Sequence, residues 1–259
     1  MQIGILTGGG DAPGLNAAIR GVARSAFVDG VDVLGVQNGW AGLVGEGDAV
    51  PLRPGDVSGI LTRGGTILGS SRVNPLADPA AMDAVIANIG RLGMDALVTI
   101  GGDDTLSVGA ALAERGLPVV GVPKTVDNDL LVTEYCIGFD TAVAIVTEAV
   151  DRLHTTAASH HRVMVVEAMG REAGWVTLMG GLAGGADMMV IPEFAVELEE
   201  VVAHLHDRRK QGKTFSIIAV SEGAEVGGGG SQGGGRRRER RAGRGASSRF
   251  SRSSPDTDR

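Results

Sequence analysis

Short runs of Val, Ile, Leu and Ala recur along the chain, separated by segments with a helical period. The runs Ile3–Leu6, Asp32–Val36, Ala96–Ile100, Val119–Val122, Val163–Val166, Met188–Ile191 and Phe215–Val220 predict strands, and the chain opens directly on the first, within Gln2 to Thr7. Most of these runs lack polar alternation, which is how strands buried on both faces of a parallel sheet read. Between them, a helix from about Thr141 to Leu153 sets Val143, Val146, Val150 and Leu153 on one stripe. A second, from about Glu197 to Arg209, turns Leu198, Val201, Val202 and Leu205 inward. Alternating strand and helix argues for an α/β fold with helices on both faces. Ligands in such folds sit at the carboxyl ends of the strands.

Composition sharpens this picture at two points. The 259 residues are 43% hydrophobic but only 3% aromatic, so the core must be packed from Ala, Val, Leu and Ile. The 42 glycines fall partly at strand-to-helix turns and partly in a C-terminal stretch. There, Gly227–Gly230 and Gly233–Gly235 lead into Arg236-Arg237-Arg238-Glu239-Arg240-Arg241, followed by Arg, Ser and Gly. Phe250 is the single large apolar residue after Arg236, too little to offset the entropy of ordering, so residues 226–259 are expected to be a disordered tail. The formal charge of −7 speaks for solubility rather than for a partner. The lone cysteine, Cys136, has no partner in the chain, which fits a reducing cytoplasm. No secretory signal and no apolar run near the roughly 18 residues of a membrane span are seen.

Six polar strings stand where strands end. Thr7-Gly8-Gly9-Gly10-Asp11-Ala12-Pro13-Gly14-Leu15-Asn16 joins a strand to a helix, where glycines admit a phosphate and helix-start N–H groups attract it. Taken alone it is also a plain tight turn. Gly101-Gly102-Asp103-Asp104-Thr105 places two carboxylates at a helix start, for a cation shared with phosphate or for capping. Pro123-Lys124-Thr125-Val126-Asp127-Asn128-Asp129 offers a carboxylate base beside a lysine, or an Asx-rich turn. Met169-Gly170-Arg171 offers a phosphate clamp or a surface ion pair. Ser221-Glu222-Gly223 offers an acceptor for sugar hydroxyls or a polar loop. Arg63-Gly64-Gly65-Thr66 with Gly69-Ser70-Ser71-Arg72 offers further donors. Each bland alternative stands singly. Their recurrence at the ends of one predicted sheet favours a phosphotransferase.

The strings Gly9–Asn16, Arg63–Thr66, Pro123–Asp129 and Met169–Arg171, in this order and spacing, resemble the phosphofructokinases from about residue 1 to Ala224. The resemblance implies two α/β domains with mainly parallel sheets: residues 1–135 for the phosphoryl donor and 136–225 for the sugar phosphate, the second incomplete. It implies that Asp127 is the general base toward the 1-hydroxyl of fructose 6-phosphate, with Thr125 and Asp129 beside the transferring group. Asp103 resembles the carboxylate associated with Mg²⁺. Gly10, Arg72, Gly102, Asp104 and Lys124 look like donor contacts. Met169, Gly170, Arg171 and Glu222 resemble contacts to fructose 6-phosphate, Arg171 also serving catalysis. Arg162 resembles a residue that reaches a neighbouring subunit's sugar phosphate, which implies a homodimer or homotetramer.

Donor choice rests on two positions. ATP-using members commonly carry glycine where this chain has Asp104 and Lys124, and the pair resembles the pyrophosphate-dependent type. An aspartate at 104 crowds and repels a nucleotide, while Lys124 meets the charge of a small inorganic donor. An ATP-dependent 6-phosphofructokinase is the alternative. A truncated, non-catalytic phosphate-ligand-binding homologue is another, because the family continues well past the Glu222 segment. The Gly/Arg/Ser stretch is expected to arise from a reading-frame shift near Val226. With one aromatic and no regular repeat, it is not expected to bind nucleic acid.

Overall fold

The computed structural model describes residues 1–227. Each strand run of the sequence is present, with ends within three residues of those expected: β1 Gln2–Thr7, β2 Asp32–Val36, β4 Ala96–Gly101, β5 Val119–Thr125, β7 Val163–Ala168, β8 Met188–Val190 and β10 Ser216–Ser221. Four strands had no clear signature. β3 (Ala49–Leu52) is a four-residue edge strand interrupted by Pro51, tolerable only at an edge. β6 (Ile137–Gly138), β9 (Val196–Glu197) and β11 (Val226–Gly227) have two residues each.

The first sheet has the order β3-β2-β1-β4-β5-β6, and every pair is parallel except β2 with β3. Strand alternation sends Ile5 and Leu6 to opposite faces. Ile5 packs with Leu15, Ile19 and Ala23 of helix α1 (Leu15–Val28). Leu6 packs with three helices on the other face. These are α2 (Trp40–Val44), α3 (Pro79–Arg91) and α4 (Asp103–Glu114), contributing Trp40, Val85 and Val108 among others. The chain leaves β1 toward β2 on one side and returns to β4 on the other. The crevice beyond β1 and β4 is therefore a topological switch point, where ligands of open α/β sheets bind.

The second sheet is three parallel strands, β7-β10-β8. Helices α5 (Phe139–His160) and α6 (Trp175–Gly184) cover one face, with Val150, Ala157 and Ile217 at the centre of the packing. Val143, Val146, Val150 and Leu153 do face this core, on a helix longer at both ends than its apolar stripe suggested. The opposite face of β7 is open. Val163 and Val165 are exposed, so the expectation of strands buried on both faces fails here, as it does at Val120 of β5. β7 alternates because it is an edge strand with helices on one side only.

Helix α7 (Leu198–Lys210) also departs from its expected packing. None of its residues is buried, and Leu198 and Val202 are exposed. It is tied to the second sheet by polar contacts near its last turn instead. Arg208 pairs with Asp187 at 2.6 Å and donates to Ser216 Oγ at 2.9 Å. The expected tail was to begin at residue 226, but Val226 and Gly227 pair with Val196 and Glu197. The rest of that segment, with the reading-frame expectation attached to it, lies outside the described residues. No helix among the described residues is long and apolar enough to cross a membrane.

Candidate active site

The ends of β1, β4, β5 and β7 open onto one cleft of roughly 610 Å³. Gly9 and Gly10 form its wall after β1. Gly9 takes a left-handed turn (φ 81°) and donates its N–H to the Ser71 carbonyl at 2.9 Å. A side chain at Gly10 would meet open space, so the backbone here fronts the cleft directly. Asn16, though part of the same glycine-rich string, is a brace rather than a ligand. It is buried, accepts from Ile67 N–H at 2.8 Å and donates to the Arg63 carbonyl at 2.9 Å. Thr66 lies against Thr7, hydroxyl to hydroxyl at 2.9 Å. The Arg63–Thr66 string therefore holds the β1 loop in place, and Ser71 and Arg72 are the members of the sixth string that line the cleft.

After β4, Gly102 caps α4 with no side-chain capping bond, and Asp103 and Asp104 occupy the first turn. Neither carboxylate serves as a cap. Both are exposed at the cleft, at the helix end whose dipole favours negative charge. The turn is fixed from below by Thr105, wedged where side chains at Gly8 and Gly101 would come within 2.4 Å of it. Gly101→Ala therefore forces Thr105 and the α4 start apart. The expected cost is about 1–3 kcal/mol of stability, read as a lowered denaturation midpoint.

β5 supplies Lys124 and Thr125, and the loop beyond it supplies Asp127 and Asp129. Lys124 is 4% exposed and Asp127 7%. The Lys124 ammonium donates to the Gly10 carbonyl, joining the β1 and β5 walls. Burial lowers its pKa from the ordinary 10.5, while the carboxylates of Asp11 and Asp127 oppose that and favour the charged form. Burial raises the Asp127 pKa above the ordinary 3.8, and Asp129 adds to the rise; Arg171 and a bond from Thr125 pull it back. Asn128, between the two aspartates, does the turn-making work. It sits at φ 52°, accepts from Cys136 N–H at 2.8 Å and donates to the Glu134 carbonyl at 3.0 Å. The Asx-turn of this string is thus made by Asn128, which leaves the Asp127 carboxylate at the cleft.

The second sheet contributes Met169 and Arg171, whose Nε lies 3.7 Å from Asp127 Oδ2. Arg171 also adopts a left-handed backbone (φ 51°), uncommon outside glycine. Gly170 and Glu222 are not among the residues lining the cleft. Glu222 Oε1 accepts from the N–H groups of Gly170 at 3.2 Å and Arg171 at 2.9 Å, and these bonds hold its pKa below the usual 4.5. Arg162 is the one candidate far from the cleft. It precedes β7, whereas Met169 follows it, a separation of about 20 Å along an extended strand.

Among the described residues no group of three or more His, Cys, Asp or Glu side chains is arranged to hold a metal ion. Mg²⁺ keeps most of its water and takes only one or two carboxylates, with phosphate oxygens completing the set. Asp103, exposed and making no hydrogen bond to its own helix, has the hard oxygen donors required. Two participants escaped the sequence reading. Asp11 lines the cleft and supports the Lys124 charge, and its place next to Gly10 was a usable signal. Glu193 accepts from Gly174 N–H at 2.8 Å, and nothing in the sequence announces that bond.

A family model described as Phosphofructokinase matches residues 2–249. The chain belongs to the phosphofructokinase family. A pyrophosphate–fructose 6-phosphate 1-phosphotransferase of Streptomyces coelicolor is 54% identical over 226 residues, 86% of this chain and 66% of that protein. The ATP-dependent 6-phosphofructokinase 3 of the same organism is 50% identical, covering 87% and 66%. Among solved structures, the Pichia pastoris phosphofructokinase in its T-state superposes with a TM-score of 0.82 at 35% identity, over 87% of this chain and 26% of that one. The chain thus spans just under two thirds of the curated relatives it matches. The family match runs past Ala224, where the motif resemblance ended, into the glycine- and arginine-rich segment.

Proposed function

We propose that this site transfers a phosphoryl group from pyrophosphate to the 1-hydroxyl of fructose 6-phosphate, giving fructose 1,6-bisphosphate and orthophosphate. The observation that carries the proposal is the convergence of a nearly buried Asp127, a nearly buried Lys124 and Arg171 in one cleft with Asp103 and Asp104. In this reading the first sheet holds the donor and the second the sugar phosphate.

A hydroxyl attacks phosphorus poorly unless its proton is taken as the bond forms. Asp127 is the base: its raised pKa makes it a stronger proton acceptor than a solvated aspartate, and Thr125 orients it through the bond to its N–H. The proton moves to the Asp127 carboxylate while the alcohol oxygen bonds to phosphorus and the bridging oxygen of the donor departs. Lys124 and Arg171 flank Asp127 with positive charge, where a phosphoryl group sheds and gathers charge in its loose transition state. Gly10 and Gly102 admit the donor to the backbone, and Arg72 neutralises it. Mg²⁺, when bound through Asp103, supplies further charge neutralisation at the phosphate oxygens.

Asp104 favours the inorganic donor. Its carboxylate stands exposed at the cleft in the first turn of α4, and in this reading it crowds and repels a nucleotide. The more similar of the two Streptomyces relatives carries the pyrophosphate name. Arg162, too distant for its own cleft, is free to serve a neighbouring copy, so a homodimer or homotetramer in the cytoplasm is part of the proposal. Incubating the purified chain with fructose 6-phosphate and either pyrophosphate or ATP, followed by phosphorus NMR, tests it. Turnover with ATP alone overturns the donor assignment. Saturable binding of fructose 6-phosphate without turnover of either donor favours the non-catalytic reading.

A further inference from the structure

The left-handed turn that presents Arg171 is held at both ends by carboxylates. At its start, Glu222 Oε1 takes the N–H groups of Gly170 and Arg171. Within it, Ala173 N–H donates to the Gly170 carbonyl at 2.8 Å. At its exit, Glu193 Oε1 takes the N–H of Gly174, the residue that caps α6. No side chain fits at Gly174, where a β-carbon would lie 2.4 Å from Ile191 and 2.6 Å from Glu193 Oε2. The exit of the turn is therefore pressed against the segment following β8. A left-handed arginine costs strain of order 1–3 kcal/mol and persists only when its surroundings fix it.

We propose that Glu193 is a positioning residue: by anchoring Gly174 N–H it fixes the Arg171 turn, and so keeps the Arg171 guanidinium against Asp127. Glu193 touches neither the cleft nor Asp127. It acts through the backbone, and its significance for catalysis rests on the phosphotransfer reading above. The geometric link to Asp127 does not, and is testable without turnover.

The groups facing Asp127 are Asp129, Arg171 and Glu222, with Lys124 across the β5 wall. Arg171 is the cation that opposes the acid-side rise of Asp127. If the turn loosens, Arg171 withdraws and Asp127 titrates at higher pH. Losing the negative charge of Glu193 would by itself act the other way, so the direction of the shift separates positioning from simple electrostatics.

The experiment is a carbon NMR titration of aspartate-labelled chain, with the Asp127 resonance assigned from Asp127→Asn. It is run on the wild type, Glu193→Ala and Glu193→Gln. The expected result is an upward shift for alanine and a wild-type position or small downward shift for glutamine, whose amide oxygen still accepts from Gly174 N–H. In turnover, alanine lowers kcat by roughly 10–100-fold with the donor KM little changed, and glutamine restores it. A folded alanine variant with Asp127 titrating as in the wild type overturns the proposal. Should that variant lose its near-ultraviolet circular dichroism, Glu193→Asp serves instead. It keeps the charge but stops one methylene short of Gly174, and an unshifted Asp127 there overturns the proposal equally. Absence of turnover in the wild type bears on the function proposed above and leaves the titration result standing.

Discussion

Asp127→Asn lowers kcat by about 10²–10⁴-fold, the usual contribution of a positioned general base, while fructose 6-phosphate still binds. The same substitution stabilises the fold at neutral pH. Asp127 has a folded-state pKa above its ordinary 3.8, so the folded chain holds this proton more tightly than the unfolded chain does. Stability therefore falls as pH rises from about the ordinary carboxylate value through the folded pKa, and above that the whole cost of the buried anion is present. Asparagine carries no such cost. Arg171 loses its partner but is 69% exposed, so water replaces the pair with little penalty. In the wild type, kcat/KM falls on the acid side at a pH above that of a solvated aspartate, and the asparagine variant loses that limb. Rate–pH profiles and denaturant midpoints of the two chains decide the matter. A kcat within a few-fold of wild type removes Asp127 from the role of base.

Asp104→Gly raises kcat/KM for ATP relative to pyrophosphate by about 10-fold or more, each tenfold corresponding to about 1.4 kcal/mol. Two causes add. The carboxylate stands exposed in the first turn of α4 beside the donor region, where a nucleotide's phosphates meet a like charge. In the proposed reading, its side chain also takes up space that a donor longer than pyrophosphate would need. Because Asp104 is solvated, screening keeps the electrostatic part modest. Glycine costs about 1 kcal/mol of helix propensity, but a uniform loss of stability leaves a donor ratio unchanged. Steady-state kinetics with both donors on wild type and variant measure that ratio. A ratio that stays put means that Asp104 does not select the donor.

The strands were legible because a strand buried in a parallel sheet has to be a Val/Ile/Leu run, and β1, β2, β4 and β10 are such runs with nearly every residue inside. β3 was not legible, since a four-residue edge strand with a proline carries almost no pattern. The α7 stripe misled because an apolar stripe states what a helix is able to bury, not what stands opposite it. In the cleft, glycines, lysine and carboxylates at strand ends announced themselves. Asn128 and Asp127 could not be told apart in their string, since either side chain can serve a turn; only the bonds to Glu134 and Cys136 assign that work to Asn128. Glu193 acts on a backbone N–H nineteen residues away in sequence, a relation that only the fold creates.

The open backbone at Gly10 has a practical consequence. Its φ is not in the left-handed region and no atom lies within 4 Å of where a side chain would begin. The chain has a single cysteine, Cys136, which is 4% exposed. Gly10→Cys thus creates one accessible thiol at the rim of the donor cleft, against a background thiol shielded from bulky reagents. An environment-sensitive fluorophore attached there would fill the open space in front of the Gly10 backbone and report optically on the polarity of the cleft, so labelling itself becomes a test of whether that space is needed for turnover.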